Sequence, residues 1–250
     1  MHPNVDIVVF GAGAMGSFFG GLLSRRNRVT LVCRKEHADA IRRAGLRITG
    51  KTSSVAHPDV ATSVAGVTSH GVTFMRAGEI RHAGIGETAI GGFAGVGVND
   101  VVRIQDIFDE AGIRTRISAD IRRDLWLKAV VNAGINPIAA LTRLRNGYLA
   151  TMPILSAAMT ALTAEAAAVA RTEGFDISDR EAGDLAVKVA RRTRDNRASM
   201  LQDVERARPT EIDAITGAVL RAAEKHRIPV PLNALMYSLI RGLERSYQVE

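Results

Sequence analysis

Val5-Asp6-Ile7-Val8-Val9-Phe10 is a short, β-branched and nearly continuous apolar run that stops at a glycine, the pattern of a buried strand. Ala14 to Arg25 follows as a helix whose small residues face the sheet. Arg28-Val29-Thr30-Leu31-Val32-Cys33 predicts a second strand, and His37 to Ala44 a short helix closed by Gly45. Strand-like pieces follow near 46–49 and 55–57. This alternation is that of a doubly wound α/β sheet. Between Thr68 and Phe93 the period drops to two. Gly71–Phe74, Glu79–His82 and Thr88–Gly91 then read as short antiparallel strands, with turns at Ala77-Gly78 and Gly84. Val98 to Ala111 reads as a helix and Arg114–Ile117 as a strand.

From Ala119 onward the apolar spacing becomes helical throughout. Helices are expected at 119–141, 152–173, 178–197, 209–226 and 231–246, each bounded by Asn, Gly, Pro, Ser or Asp. The fold class is therefore an α/β Rossmann-type N-terminal domain over residues 1–117 and an all-α C-terminal domain over 118–250.

Composition narrows the picture. The chain is 46% hydrophobic but only 4% aromatic, so its cores must be aliphatic and rich in alanine. One cysteine, Cys33, excludes a disulfide framework and suits a reducing cytoplasm. Cys33 itself reads as a small buried residue rather than a reactive thiol. The first six residues lack the pattern of a signal peptide. The most apolar stretch, Ile154 to Ala170, is 17 residues long and carries Glu165; a buried helix is expected, not a membrane span. The net charge of +7 comes from scattered arginines without interleaved aromatics, which argues against a nucleic-acid platform and leaves anionic small molecules as partners. The six histidines show no ligand spacing, so no metal is expected; His70 and His82 read as sheet-face residues.

Two patterns carry chemistry. Gly11-Ala12-Gly13-Ala14-Met15-Gly16 follows the first strand and opens the first helix, the context in which Gly-x-Gly-x-x-Gly holds a dinucleotide. Gly11 permits the tight turn, Gly13 lets backbone approach the pyrophosphate, and Gly16 allows close helix–strand packing. An acidic residue at the end of the second strand would favour NAD. Here Cys33-Arg34-Lys35 stands instead, and Arg34 suits the 2′-phosphate of NADP; the plain alternative is a solvent-facing arginine.

The second pattern is Lys128, Asn132 and Asn136, spaced i, i+4, i+8 and so aligned on one helix face among Trp126, Val130, Val131 and Ile135. A partly buried lysine has a lowered pKa and can donate a proton, and the amides can bind carboxylate and hydroxyl groups. Downstream, Asp195 to Asp203 and Arg208 to Asp213 form a second polar cluster. Pro209 and Glu211 there fit a helix's first turn, and Asn196 and Ser199 then read as capping or loop groups.

Together these pieces resemble the ketopantoate reductase (2-dehydropantoate 2-reductase) family. Ile7 to Gly16 matches its opening. Trp126-Leu127-Lys128, Asn132, Ile135-Asn136-Pro137, Asn146-Gly147, Ser199-Met200-Leu201-Gln202-Asp203 and Thr210-Glu211-Ile212-Asp213 continue the match in order. The resemblance implies NADPH-dependent reduction of ketopantoate to pantoate on the way to coenzyme A. It implies that Lys128 is the general acid and that Glu211 lies beside substrate and cofactor. It places Asn132, Asn136, Asn146, Asn196 and Ser199 on the substrate, and Gly11, Ala12, Gly13, Ala14, Met15, Gly16, Arg34, Val72 and Glu211 on NADP. A homodimer through the helical domain is the expected assembly.

One part of the family pattern is absent. After Ala65-Gly66 a family member continues into a strand ending in a lysine, a helix, and a strand ending in a Gln-Asn-Gly turn. This chain passes directly to Val67-Thr68-Ser69-His70, and about 50 residues of an ordinary crossover layout are missing. Three readings of the gap stand open: a compact sheet that still closes, a damaged product, or a site completed by a partner chain. The functional alternatives are a non-catalytic binding or assembly module and a reductase of another branched 2-oxo acid.

Overall fold

The computed structural model describes residues 6–10, 13–32, 35–52, 54–56, 64–92 and 98–247. The chain divides into two compact units, Met1–Asp124 and Leu125–Glu250.

In the first unit, strand β1 (Asp6–Phe10) lies parallel to β2 (Arg28–Val32), with Ile7 opposite Val29 and Val9 opposite Leu31. Helix α1 (Ala14–Leu23) makes the crossover. A Cβ added at Gly20 would stand 2.3 Å from Leu31 Cδ2, so here α1 touches β2. Helix α2 (Lys35–Ala44) ends as expected at Gly45, whose φ of +73° only glycine adopts readily and whose N–H donates to the Ile41 carbonyl.

The remaining strands do not extend that pair into one doubly wound sheet among the described residues. β3 (Leu46–Gly50), β4 (Ser54–Ala56), β6 (Gly71–Arg76) and β7 (Glu79–Gly84) form a four-stranded sheet in the order β4-β3-β7-β6. β5 (Ala65–Thr68), β8 (Thr88–Gly91) and β9 (Thr115–Ile117) form a three-stranded sheet in the order β5-β8-β9. The β6–β7 hairpin is antiparallel, as its period-two pattern predicts. β5 is new. It spans the Gly66–Val67 junction and pairs antiparallel with β8, so the shortened region closes on a neighbouring strand. Four residues with one glycine carry no local strand signal; the ladder to β8 makes them a strand. Helix α3 (Val98–Glu110) completes the unit. Its core gathers Phe18, Leu22, Leu23, Val29, Ile48, Ile80, Ile107 and Ile113.

The helical unit contains α4 (Ile121–Thr142, whose first turn belongs to the first unit), α5 (Asn146–Thr151), α6 (Pro153–Thr172), α7 (Asp179–Arg192), α8 (Ser199–Glu205), α9 (Thr216–His226) and α10 (Pro231–Ser246). The expected helices over 178–197 and 209–226 are both shorter. α7 stops at Arg192, where Thr193 turns its hydroxyl back to the Val189 carbonyl and accepts from Asn146 Nδ2. α9 starts only at Thr216, so Pro209 and Glu211 precede the helix and Glu211 does not offset its dipole.

The core of this unit is the alanine-rich one that the composition implies. Ala133, Ala166, Ala167, Ala170 and Ala182 pack with Val130, Val169 and Ile177, and Ala186 and Ala190 with Met159, Leu162 and Leu201. α6 is the one helix among the described residues that is long and apolar enough to cross a membrane. It serves instead as a core helix. Its Glu165 carboxylate accepts from the backbone N–H groups of Leu232 and Asn233 and from Asn233 Nδ2, which caps the start of α10.

Candidate active site

The glycine loop leads from β1 into α1. Gly13 is the N-cap of α1 with extended backbone, no side chain caps the helix, and a Cβ at Gly13 would meet nothing within 4 Å. The first-turn N–H groups of Ala14, Met15 and Gly16 have no carbonyl partner inside the helix, and the helix dipole adds positive character there. That is the arrangement that receives a pyrophosphate. Gly11, Ala12 and Arg34 lie outside the described residues, as does Cys33. A close helix–strand approach is seen at Gly20. Val72 sits on β6, half-buried, with its side chain against the core of its unit.

Of the two histidines expected on a sheet face, His82 lies on β7, whereas His70 lies in the connection between β5 and β6. Gly78 N–H donates to Nδ1 of His37 at 3.0 Å, which leaves His37 Nε2–H facing Ser17 Oγ at 2.9 Å and ties α2 to α1. Gly86 N–H donates to Nδ1 of His70, which lies 3.0 Å from Nε2 of His82. His82 Nδ1 lies 2.9 Å from Thr52 Oγ. Phe18 covers both rings, at 5.2 Å from His70 and 4.3 Å from His82. Burial lowers the pKa of all three histidines, and the His82 ring lowers that of His70 further. These are neutral packing histidines, and only the twelve-residue separation of His70 and His82 across a hairpin hints at it.

In the helical unit, α4 carries the polar row. Exposure falls along it: Lys128 keeps solvent contact, Asn132 is half-buried, and Asn136 is 5% exposed. Surrounding protein lowers the Lys128 pKa below the ordinary lysine range, and the Glu211 carboxylate opposes that shift. Glu211 also acts on Asp203. Burial first, then the Glu211 charge, raises the Asp203 carboxyl above the usual carboxylate range. Lys128, Glu211 and Asp203 thus form one electrostatic group. Asp203 was not singled out from the sequence, although i, i+4 spacing from Ser199 places it on that residue's face of α8.

Asn146 opens α5 and is 7% exposed. Its N–H donates to the Asn196 carbonyl at 3.1 Å and its Nδ2 to Thr193 Oγ at 2.9 Å, while its Oδ1 is buried without a partner. Asn196 is an exposed loop residue and Ser199 the exposed first residue of α8, whose N-cap is Ala198. Among the described residues, neither Asn132 nor Ser199 makes a hydrogen bond to another candidate residue.

A βαβ unit with a glycine-opened helix, joined to a helical unit with a lysine–amide row, defines the class of two-part nicotinamide reductases. The comparisons make this specific. Residues 7–65 match the model of ketopantoate reductase PanE/ApbA, and residues 120–244 match that of its C-terminal domain. The chain belongs to the PanE/ApbA ketopantoate reductase family, whose members are oxidoreductases acting on 2-oxo acids.

A 2-dehydropantoate 2-reductase of Archaeoglobus fulgidus is 35% identical over 181 residues, covering 72% of this chain and 60% of that protein. One from Pyrococcus abyssi is 29% identical over an alignment of 295 positions, covering 96% of this chain and 98% of the relative. That alignment is longer than this chain of 250 residues, in keeping with the missing segment. A solved PanE/ApbA family ketopantoate reductase from Ralstonia eutropha JMP134 superposes with a TM-score of 0.84 at 25% identity, covering 98% of this chain and 100% of that one. A D-mandelate dehydrogenase solved with NADH and anilino(oxo)acetate shares the fold, with a TM-score of 0.89 at 20% identity over 98% of this chain and 100% of that one.

Proposed function

We propose that this protein reduces 2-dehydropantoate to pantoate with NADPH, in the cytoplasm and as a step toward coenzyme A. The observation that carries the reading is Lys128: a lysine with a lowered pKa, in electrostatic contact with Glu211, at the head of the Asn132–Asn136 row. A bound nicotinamide cofactor supplies the hydride. The open space at the Cβ position of Gly13 and the first-turn N–H groups of α1 fit its pyrophosphate, and Arg34 is assigned to the 2′-phosphate.

The chain's own residues do the rest. As the ketone carbon is reduced, negative charge grows on its oxygen; the Lys128 ammonium stabilises that charge and delivers the proton from Nζ. The Glu211 carboxylate favours the charged form of Lys128 against the lowering by surrounding protein. Asn132, Asn136, Asn146, Asn196 and Ser199 are assigned to the substrate carboxylate and hydroxyl, which fixes the geometry of transfer.

Purified protein with NADPH and 2-dehydropantoate is expected to consume the nicotinamide absorbance. Lys128→Ala is expected to cut the rate by about a hundredfold or more, in line with loss of a general acid. Rate is also expected to fall as pH rises through the lowered Lys128 pKa, because the protonated form does the work. Normal turnover by Lys128→Ala would overturn the assignment.

A second reading, a non-catalytic binding module, draws on the segment that the longer relatives carry and this chain lacks. It predicts no turnover with any branched 2-oxo acid and little rise in melting temperature with NADPH.

A further inference from the structure

A cavity of about 580 Å³ opens in the helical unit where the α4–α5 turn faces the α7–α8 turn. Four arginines, Arg143, Arg145, Arg194 and Arg197, line it, with one acidic residue, Asp195. None of these residues belongs to the candidate catalytic set. The two turns are joined by backbone hydrogen bonds, from Asn146 N–H to the Asn196 carbonyl and from Gly147 N–H to the Arg194 carbonyl, both 3.1 Å. Arginines from two separate stretches of chain are thereby held on one concave surface.

Little on that surface offsets their charge. Arg197 pairs with Glu205 at 2.8 Å. Arg194 approaches Asp195 only to 3.4 Å, with side chains 76% and 80% exposed, so that pair is weak. Arg145 reaches only the Asp195 backbone carbonyl, at 3.4 Å, the edge of hydrogen-bonding range. Arg143 makes no ion pair within 4 Å among the described residues. A concave surface of one sign concentrates potential and draws anions. Guanidinium forks grip phosphate oxygens two at a time, which a lysine cannot do. One monoanion would leave most of this charge unmatched, whereas linked phosphates carry several negative charges. The volume suits a small-molecule ligand, within the roughly 300–1,000 Å³ of such sites. Tyr148, half exposed on the same wall, offers an aromatic face.

We propose that this cavity binds the phosphate chain of a small polyphosphate ligand. The site does not include the glycine loop, and the test is one of binding. The full-length protein is titrated with sodium tripolyphosphate by calorimetry at fixed ionic strength. Saturable binding that weakens as salt rises is expected. Arg143→Ser combined with Arg194→Ser should weaken it by tenfold or more. Arg180→Ser combined with Lys188→Ser, exposed positions on α7 with the same loss of charge, should leave it unchanged. If the serine pair fails to fold by circular dichroism, Arg143→Lys with Arg194→Lys carries the test, with at least a threefold weakening expected from loss of the forks. ATP binding more tightly than tripolyphosphate would add a base stacked on Tyr148; equal binding would assign the phosphates alone. No saturable binding, or equal binding by wild type and the arginine variants, overturns the proposal.

Discussion

At the scale of single residues, the same side-chain type is put to opposite uses by its surroundings. Lys128 has a lowered pKa, and the Glu211 carboxylate acts against that shift. His70 and His82 sit with their rings against Phe18 and stay neutral, with His70 Nδ1 committed to His82 and Gly86 and His82 Nδ1 to Thr52. His70 Nδ1 accepts from the Gly86 N–H, so a second ring proton there would break that bond in a half-buried setting. The folded pKa values lie below those of the unfolded chain, near about 6.5. Their contribution to stability is therefore complete above that value. It is lost as pH falls, because the unfolded chain takes up protons that the folded pair refuses. The melting temperature is expected to drop between about pH 7 and pH 5, the range in which histidines titrate. His82→Gln, which keeps a partner for Thr52 without a titrating group, should flatten that dependence. A flat wild-type profile would show that the pair does not control acid stability.

At the scale of elements, α4 has two sides with different constraints. One presents the Lys128–Asn132–Asn136 row, and its spacing was readable because helical period alone places those residues on one face. The other lies against α6. A Cβ added at Gly134 would come within 2.5 Å of Thr163 Cγ2 and 3.0 Å of the Met159 carbonyl. Gly134→Val is therefore expected to force the helices apart and cost about 1–3 kcal/mol, measured by urea denaturation. A variant as stable as wild type would mean that α6 moves aside freely. Nothing in the local sequence marks this glycine, because the residues that crowd it come from α6. The ends of α7 and α9 were misplaced for the same reason. Thr193 ends α7 while receiving a hydrogen bond from Asn146, 47 residues away, and no propensity reports that.

At the scale of the whole molecule, a chain poor in aromatics builds its helical core by bringing alanines together, α6 against α7 above all. The proposed function makes a whole-molecule prediction. A ligand that binds only the folded state at a hundred times its Kd adds about 2.7 kcal/mol. For a chain of this size that raises the melting temperature by several degrees. NADPH should produce this shift, and NADH should produce less if Arg34 reads the 2′-phosphate. Equal shifts would remove Arg34 from that role. The βαβ unit, the two-part plan, the alanine cores and the polar row of α4 were all fixed by local pattern, since period, glycine placement and composition are properties of neighbouring residues. The tertiary structure alone decided that Ala65–Thr68 becomes a strand, that the histidines pair, that Glu211 joins Lys128 and Asp203, and that four arginines from two distant turns share one cavity. Each of these depends on groups that meet only when distant segments of the chain pack together.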